Sequence, residues 1–123
     1  MKNTILKEQE IDLTFFVPCF NEEKNIANTL DAIISAISRT TFTYEIIVVD
    51  DKSKDLTKEV VKEYIINSDI KAISLVVNKF NMGLGRNYVD ISFISNGKYY
   101  MLVNGDNAEP EETIFSIVAS LGS

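Results

Sequence analysis

The 123-residue chain contains no histidine and no tryptophan. The first absence removes imidazole acid–base chemistry, histidine-based triads and most zinc sites together. A single cysteine, Cys19, rules out a disulfide framework within the chain, and a reducing compartment is expected. Cys19 sits between Pro18 and Phe20 with no base in view and reads as a passive small residue. Positive charge is scarce, with 12 basic against 18 acidic residues and a net charge of −6. That balance argues against nucleic acid as a principal partner, because phosphate backbones need a basic footprint. It leaves room for a small phosphorylated ligand, since a divalent cation reverses the local field. No apolar run approaches the roughly 20 residues of a membrane span. The opening MKNTILKEQEIDL lacks the apolar centre of a signal peptide, so a cytoplasmic location is expected.

What the chain does have is one pattern written three times. Residues 15–23 (FFVPCFNEE), 45–53 (EIIVVDDKS) and 99–107 (YYMLVNGDN) are β-rich apolar runs that stop on carboxylates or amides. Each reads as a buried strand with a polar turn at its far end. Carboxylates gathered at strand ends usually serve a cation, a polar ligand or both.

Between these runs the periodicity alternates. Residues 1–11 are polar and patternless and read as a flexible arm, leaving 12–123 as a single domain. Strands are expected at 13–17, 44–49, 72–77 and 99–103. The second is a continuous β-branched run, as in a strand covered on both faces. Asn21 is a candidate N-cap for a helix carrying Ile26, Leu30, Ile33, Ile34 and Ile37 on one stripe. Asp55 can cap a second helix bearing Leu56, Val60, Val61, Tyr64 and Ile65. Leu84, Tyr88 and Ile91 mark a third, ended by Asn96-Gly97. Pro110, Glu111 and Glu112 suit the first turn of a fourth, with Ile114, Ile117, Val118 and Leu121 as its stripe. Four βα units in succession give an α/β fold with a mostly parallel sheet and right-handed crossovers. Such sheets bind ligands outside the carboxyl ends of their strands, where strand order reverses. All three polar turns fall on that rim.

Each turn also has a plain structural explanation. Asp50-Asp51 can be an Asx turn and helix cap, balanced by Lys52 or Lys54; at a rim, one carboxylate can instead face a ligand while the other caps. Asn104-Gly105-Asp106 can be an ordinary Asn-Gly turn. It can equally present two oxygen ligands on one side, with Gly105 allowing a bulky group close approach; oxygen donors suit Mg²⁺ or Mn²⁺ shared with substrate phosphates. Glu22 is either a dipole-favourable surface carboxylate or an acceptor for a base or ribose. The turn Asn81-Met82-Gly83-Leu84-Gly85-Arg86 opens a helix and can receive phosphate, but it lacks a full dinucleotide fingerprint. Arg86 is poorly placed for its own helix dipole, so it is either solvated or paired with a phosphate or an acid.

Taken together, FVPCFNEEKNI, YEIIVVDDKSKDLT, NMGLGRN and GKYYMLVNGDNAEP resemble the N-terminal half of family 2 glycosyltransferases. The resemblance implies the GT-A fold: a three-layer α/β sandwich with Rossmann-like units that binds a UDP- or GDP-sugar with Mg²⁺ or Mn²⁺. It implies that Pro18, Phe20 and Glu22 line the nucleotide site, that Val49, Asp50 and Asp51 contact base and ribose, and that Gly83 and Arg86 lie beside the nucleotide. Asn104, Gly105 and Asp106 stand where the family has Asp-x-Asp, making Asp106 and Asn104 the implied cation ligands. Asn104 brings an amide oxygen where the family usually brings a charge. No catalytic residue is assigned, because the family's general base and acceptor site lie in a further half, beyond Ser123. The implied acceptors are polyprenyl phosphate or a glycan, the implied setting cell-envelope or polysaccharide biosynthesis, and the implied location the cytoplasm or a membrane's cytoplasmic face. A surface left uncovered by the absent half would favour homo-oligomers.

Three other readings stay open. A non-catalytic sugar-nucleotide-binding or assembly module would share every residue above. A receiver-type signalling domain would need its acid pair after the first strand and a lone aspartate after the third, where this chain has Asn78. A haloacid-dehalogenase-like phosphatase would need a nucleophilic aspartate where Asn104 stands.

Overall fold

The computed structural model describes residues 10–121. The expected arm therefore lies mostly outside the described residues, and strand pairing already begins at Ile11. Elements alternate throughout: β1 (Ile11–Cys19), α1 (Ile26–Ile37), β2 (Tyr44–Asp50), α2 (Thr57–Ser68), β3 (Ile73–Val77), α3 (Leu84–Ile94), β4 (Gly97–Leu102) and α4 (Glu111–Ser120). The sheet has the order β3-β2-β1-β4, with every neighbouring pair parallel.

Period-2 alternation decides which side chain goes where. Leu13, Phe15, Val17 and Cys19 of β1, with Ile46 and Val48 of β2, face one side and pack on Ile26, Leu30, Ile33 and Ile37 of α1, Val61 of α2 and Ile114 and Val118 of α4. Phe16, Ile47 and Val49 face the other side and meet Ile91 of α3. The result is three layers, with three helices on one face and α3 on the other. Tyr88 and Tyr100 extend the smaller cluster around Phe16, with ring centroids 5.0–6.1 Å apart. Beyond it α3 leaves Leu84, Val89, Phe93 and Ile94 exposed.

Two helix starts differ from the sequence reading. Asn21 is not an N-cap: α1 begins at Ile26 after an intervening turn, and Asn21 takes a left-handed φ of 57°. Asparagine tolerates that conformation, and its side chain accepts the Lys54 N–H at 2.8 Å. Asp55 acts from one residue further out than a cap, accepting the Thr57 N–H at 2.9 Å.

The amino ends of the strands are fastened by Glu45. Its carboxylate accepts the Thr14 hydroxyl at 2.7 Å and the Asn96 N–H at 2.7 Å, while Thr14 Oγ1 accepts the Gly97 N–H at 2.9 Å. Only glycine fits at 97, where a Cβ would lie 2.4 Å from the Thr14 nitrogen. These bonds fix β1, β2 and β4 at one end and leave their carboxyl ends to build a site.

Candidate functional site

The order β3-β2-β1-β4 reverses between β1 and β4, and a cleft of about 180 Å³ opens beside that point. Pro18, Cys19, Phe20 and Glu22 from the β1 exit line it. Opposite them stand Asn104, Gly105 and Asp106 from the β4 exit, with Asp51 from the β2 exit and Leu84 and Asn87 from α3. The volume is below the ~300–1,000 Å³ of a complete small-molecule site, so these walls hold part of such a ligand. A larger cavity of about 360 Å³ lies between α1 and α2, away from the strand ends. Its tyrosine, Tyr64, is already bonded to Asp31 at 2.6 Å.

The walls are tied together by backbone bonds past the last regular pairs. Asp51 N–H donates to Cys19 O at 2.9 Å, and Gly105 N–H donates to Pro18 O at 3.0 Å. The β1 and β2 turns are laced side chain to backbone. Asn21 N–H donates to Ser53 Oγ and Glu22 N–H to Thr57 Oγ1, both at 2.8 Å. Two more bonds cross the gap: Glu23 N–H donates to Asp55 Oδ2 at 3.2 Å, and Glu23 Oε1 accepts the Leu56 N–H at 3.1 Å. Glu22 stays at the cleft, its Oε1 accepting the Asn25 amide at 3.0 Å.

Alternation separates the adjacent acids at the β2 exit, Asp50 as its last residue and Asp51 just beyond it. Asp50 turns toward the α1–α2 side, is 2% exposed, and accepts the Ser53 N–H at 3.1 Å. Asp51 turns toward α3 and reaches the cleft. Its Oδ1 accepts the Asn78 amide at 2.9 Å and the Met82 N–H at 2.8 Å; its Oδ2 accepts the Gly83 N–H at 2.9 Å. Burial pushes this carboxyl's pKa up, but the Met82, Asn78 and Gly83 bonds outweigh it and hold the group below the ordinary carboxylate value. Asp51 is therefore an ionised acceptor that shapes the α3 turn. Gly83 adopts a φ of +88°, which its missing Cβ permits.

Asn87 is buried at 4% exposure on the inner face of α3, one turn before Ile91. Its Oδ1 accepts the Asn78 amide at 2.8 Å. Its Nδ2 has no hydrogen-bond partner, and it is the one buried side-chain polar atom so placed among the described residues. Nδ2 lies near enough to Asp51 to help lower that pKa, but outside hydrogen-bond geometry. An orphaned buried donor costs about 1–3 kcal/mol.

Asn104 and Asp106 both line the cleft while Gly105 is buried between them. Asp106 Oδ1 accepts the Ala108 N–H at 3.0 Å; among the described residues, its Oδ2 and the Asn104 amide have no protein partner. An unengaged carboxylate oxygen and an unengaged amide oxygen suit a hard divalent cation that completes its shell with substrate phosphates. They do not form a cage: no group of three or more His, Cys, Asp or Glu able to hold a metal occurs among the described residues. The close approach at Gly105 is to the protein itself, since a Cβ there would lie 2.6 Å from Cys19 Sγ and 3.1 Å from Pro18 O. Burial, then Asp50, Glu22 and Asp55, push the Cys19 thiol far up, so it stays protonated.

The cleft thus brings together Pro18, Phe20, Glu22, Asp51, Asn104, Gly105 and Asp106. Val49 is buried against α3, Asp50 faces the opposite side, and Gly83 supports the wall through its backbone. Arg86 points away to solvent and pairs with Asp90 at 3.0 Å. The sequence placed neither Leu84 nor Asn87 at the site, and Cys19, read there as a passive small residue, lines the cleft as a buried, protonated thiol. The signal for Asn87 was a polar residue four before Ile91, on the apolar stripe of α3.

The glycosyl transferase family 2 profile matches residues 14–123. A dolichyl-phosphate beta-glucosyltransferase of Trichomonas vaginalis is 36% identical over 110 residues, covering 85% of this chain and 32% of that protein. The Homo sapiens dolichyl-phosphate beta-glucosyltransferase is 36% identical over 104 residues, covering 78% and 31%. The chain spans about a third of the length of these curated relatives. Among solved structures, a mannosyltransferase of Pyrobaculum calidifontis in complex with GDP-Man and Mn²⁺ superposes with a TM-score of 0.74 at 21% identity, covering 95% of this chain and 34% of that one. S. aureus TarS 1–349 in complex with UDP-GlcNAc superposes with a TM-score of 0.64 at 24% identity, covering 88% and 30%. These likenesses establish the fold, and the profile match with the curated relatives establishes the family: the chain belongs to glycosyl transferase family 2.

Proposed function

We propose that this chain is the donor-binding part of a glycosyltransferase that moves a sugar from a UDP- or GDP-sugar to a polyprenyl-phosphate acceptor. The observation that carries the reading is the cleft at the β1–β4 reversal, where Asp51, Glu22, Asn104 and Asp106 converge. Glu22 and Asp51 supply acceptors for the hydroxyl and N–H groups of a nucleoside. Asp106, with Asn104, would hold Mg²⁺ or Mn²⁺. When bound, such a cation supplies Lewis-acid neutralisation of charge on the leaving diphosphate. The residues present bind and orient the donor, and none of them is assigned as the base that activates the acceptor.

The lipid acceptor is supported by the dolichyl-phosphate relatives. Such an acceptor places the reaction at a membrane surface, and we assign it to the cytoplasmic face. No helix among the described residues is long and apolar enough to cross a membrane. The exposed Leu84, Val89, Phe93 and Ile94 of α3 would drive self-association when nothing else covers them.

The test is calorimetry with UDP and GDP, with and without Mn²⁺. Binding of one diphosphate that strengthens with Mn²⁺, and an Asp106→Ala variant that loses the Mn²⁺ dependence, are expected. A folded sample that binds neither nucleotide would overturn the reading. Donor hydrolysis or transfer by the chain alone would separate an enzyme from a binding module.

A further inference from the structure

The loop of residues 78–83, between β3 and α3, turns polar groups inward and apolar side chains outward. The Asn78 N–H donates to Asp50 O at 2.9 Å, and the Asn81 amide donates to Asp51 O at 3.3 Å. The Met82 and Gly83 N–H groups end on the Asp51 carboxylate. Phe80 meanwhile stands 73% exposed, and Val77, Met82 and Leu84 in the same stretch are exposed as well. These apolar side chains belong to a loop pinned to the β2 exit, so they face outward by construction. The pinned groups already have partners, so covering this loop strands none of them.

Charge indicates what covers it. Residues 77–89 hold two bases, Lys79 and Arg86, and no acid, in a chain of net charge −6. Asp90 accepts Arg86 Nε at 3.0 Å, and among the described residues the terminal guanidinium nitrogens have no partner. Exposed apolar side chains flanked by bases match the interface of an anionic bilayer: the apolar groups enter the headgroup boundary and the bases meet lipid phosphates. A second copy fits less well, because two such loops would set lysine against lysine with no acid between them. Leu84, at the end of this stretch, is also a wall of the cleft. Extending the lipid-acceptor reading above, we propose that the β3–α3 loop docks on an anionic membrane, with Phe80 in the headgroup boundary and Lys79 and Arg86 on lipid phosphates, so that the cleft opens at the lipid surface.

The test is cosedimentation with vesicles of phosphatidylcholine alone and of phosphatidylcholine mixed with phosphatidylglycerol. The chain is expected to bind the mixed vesicles, and to release them as salt rises. Phe80→Ser should weaken that binding about tenfold, and Lys79→Glu should weaken it by a similar factor. Phe93→Ser removes an equally exposed ring from the far end of α3 and should change nothing. Because the chain has no tryptophan, Phe80→Trp installs a sole reporter, whose emission should shift to the blue on the mixed vesicles. No binding to the mixed vesicles, or no shift in Phe80→Trp, overturns the inference. So does an equal loss in Phe93→Ser, which would move the contact off the loop. A concentration-dependent dimer in vesicle-free buffer that Phe80→Ser disrupts would assign the loop to a second copy and overturn it too. The donor-site reading is scored apart: nucleotide binding without vesicle binding defeats this inference alone, and vesicle binding without nucleotide binding defeats the donor site alone.

Discussion

The Asp51 carboxylate accepts the Gly83 N–H at 2.9 Å, and through that bond the end of β2 sets the start of α3. The Met82 N–H and the Asn78 amide converge on the same group. Removing it leaves three donors facing a void. We expect Asp51→Ala to destabilise the fold by about 2–4 kcal/mol, read as a fall in the urea midpoint at unchanged m-value. A loss below about 0.5 kcal/mol would show that the turn holds itself.

The same network predicts an acid limb in stability. Asp51 and Asp55 both have carboxyl pKa values below the ordinary 3.8, in each case because hydrogen bonds to the charged form outweigh burial. A lowered folded pKa means that the stabilisation is complete above the unfolded value and is lost as pH falls through the folded one. Urea midpoints should therefore hold between pH 7 and about pH 5 and drop below about pH 4. In Asp51→Asn the drop should shrink; an unchanged drop would assign it to other acids.

Topology and rim were legible because strand and helix periods alternate clearly from Leu13 to Leu121. The functions of individual acids were not. Chemical type alone cannot tell a carboxylate that binds a ligand from one that binds a neighbouring turn, as Glu23 and Asp55 do. The direction of a side chain resolves it. A β-strand sends Asp50 and Asp51 to opposite faces, and an α-helix turns Arg86 outward while its neighbour Asn87 faces inward. Charge drew the sequence reading to Arg86, whereas burial makes Asn87 the informative residue.

Glu45 gives a prediction at the opposite end of the sheet. Its carboxylate holds the Thr14 hydroxyl, the Asn96 N–H and, at 3.3 Å, the Asn96 amide. Thr14 is fully buried, so Glu45→Ala should cost about 1–3 kcal/mol in denaturant unfolding. Its distance from the cleft means that nucleotide affinity of the folded variant should not change. A parallel loss of affinity would show that the two ends of the sheet are coupled.

Cys19 lines the cleft but should not react as a surface thiol does. It is 2% exposed, and burial with the nearby acids keeps it protonated. Labelling by a disulfide reagent at pH 8 should be slow and should accelerate in step with urea-induced opening. Rapid labelling in native buffer would mean that the β1 exit opens on its own.

Gly105 and Cys19 are a packing pair, and a double-mutant cycle can show it. A methyl group at 105 would lie 2.6 Å from the Cys19 sulfur, 3.1 Å from Pro18 O and 3.2 Å from Ile26 Cδ1. Gly105→Ala should therefore destabilise by about 1–3 kcal/mol, the usual range for overpacking. In a Cys19→Ala background the sulfur is gone, and the added methyl should cost less by at least about 0.5 kcal/mol. The Pro18 and Ile26 contacts persist, so the cost should not vanish. If it is the same in both backgrounds, the backbone of the Asn104–Asp106 turn, and not Cys19, sets the need for glycine.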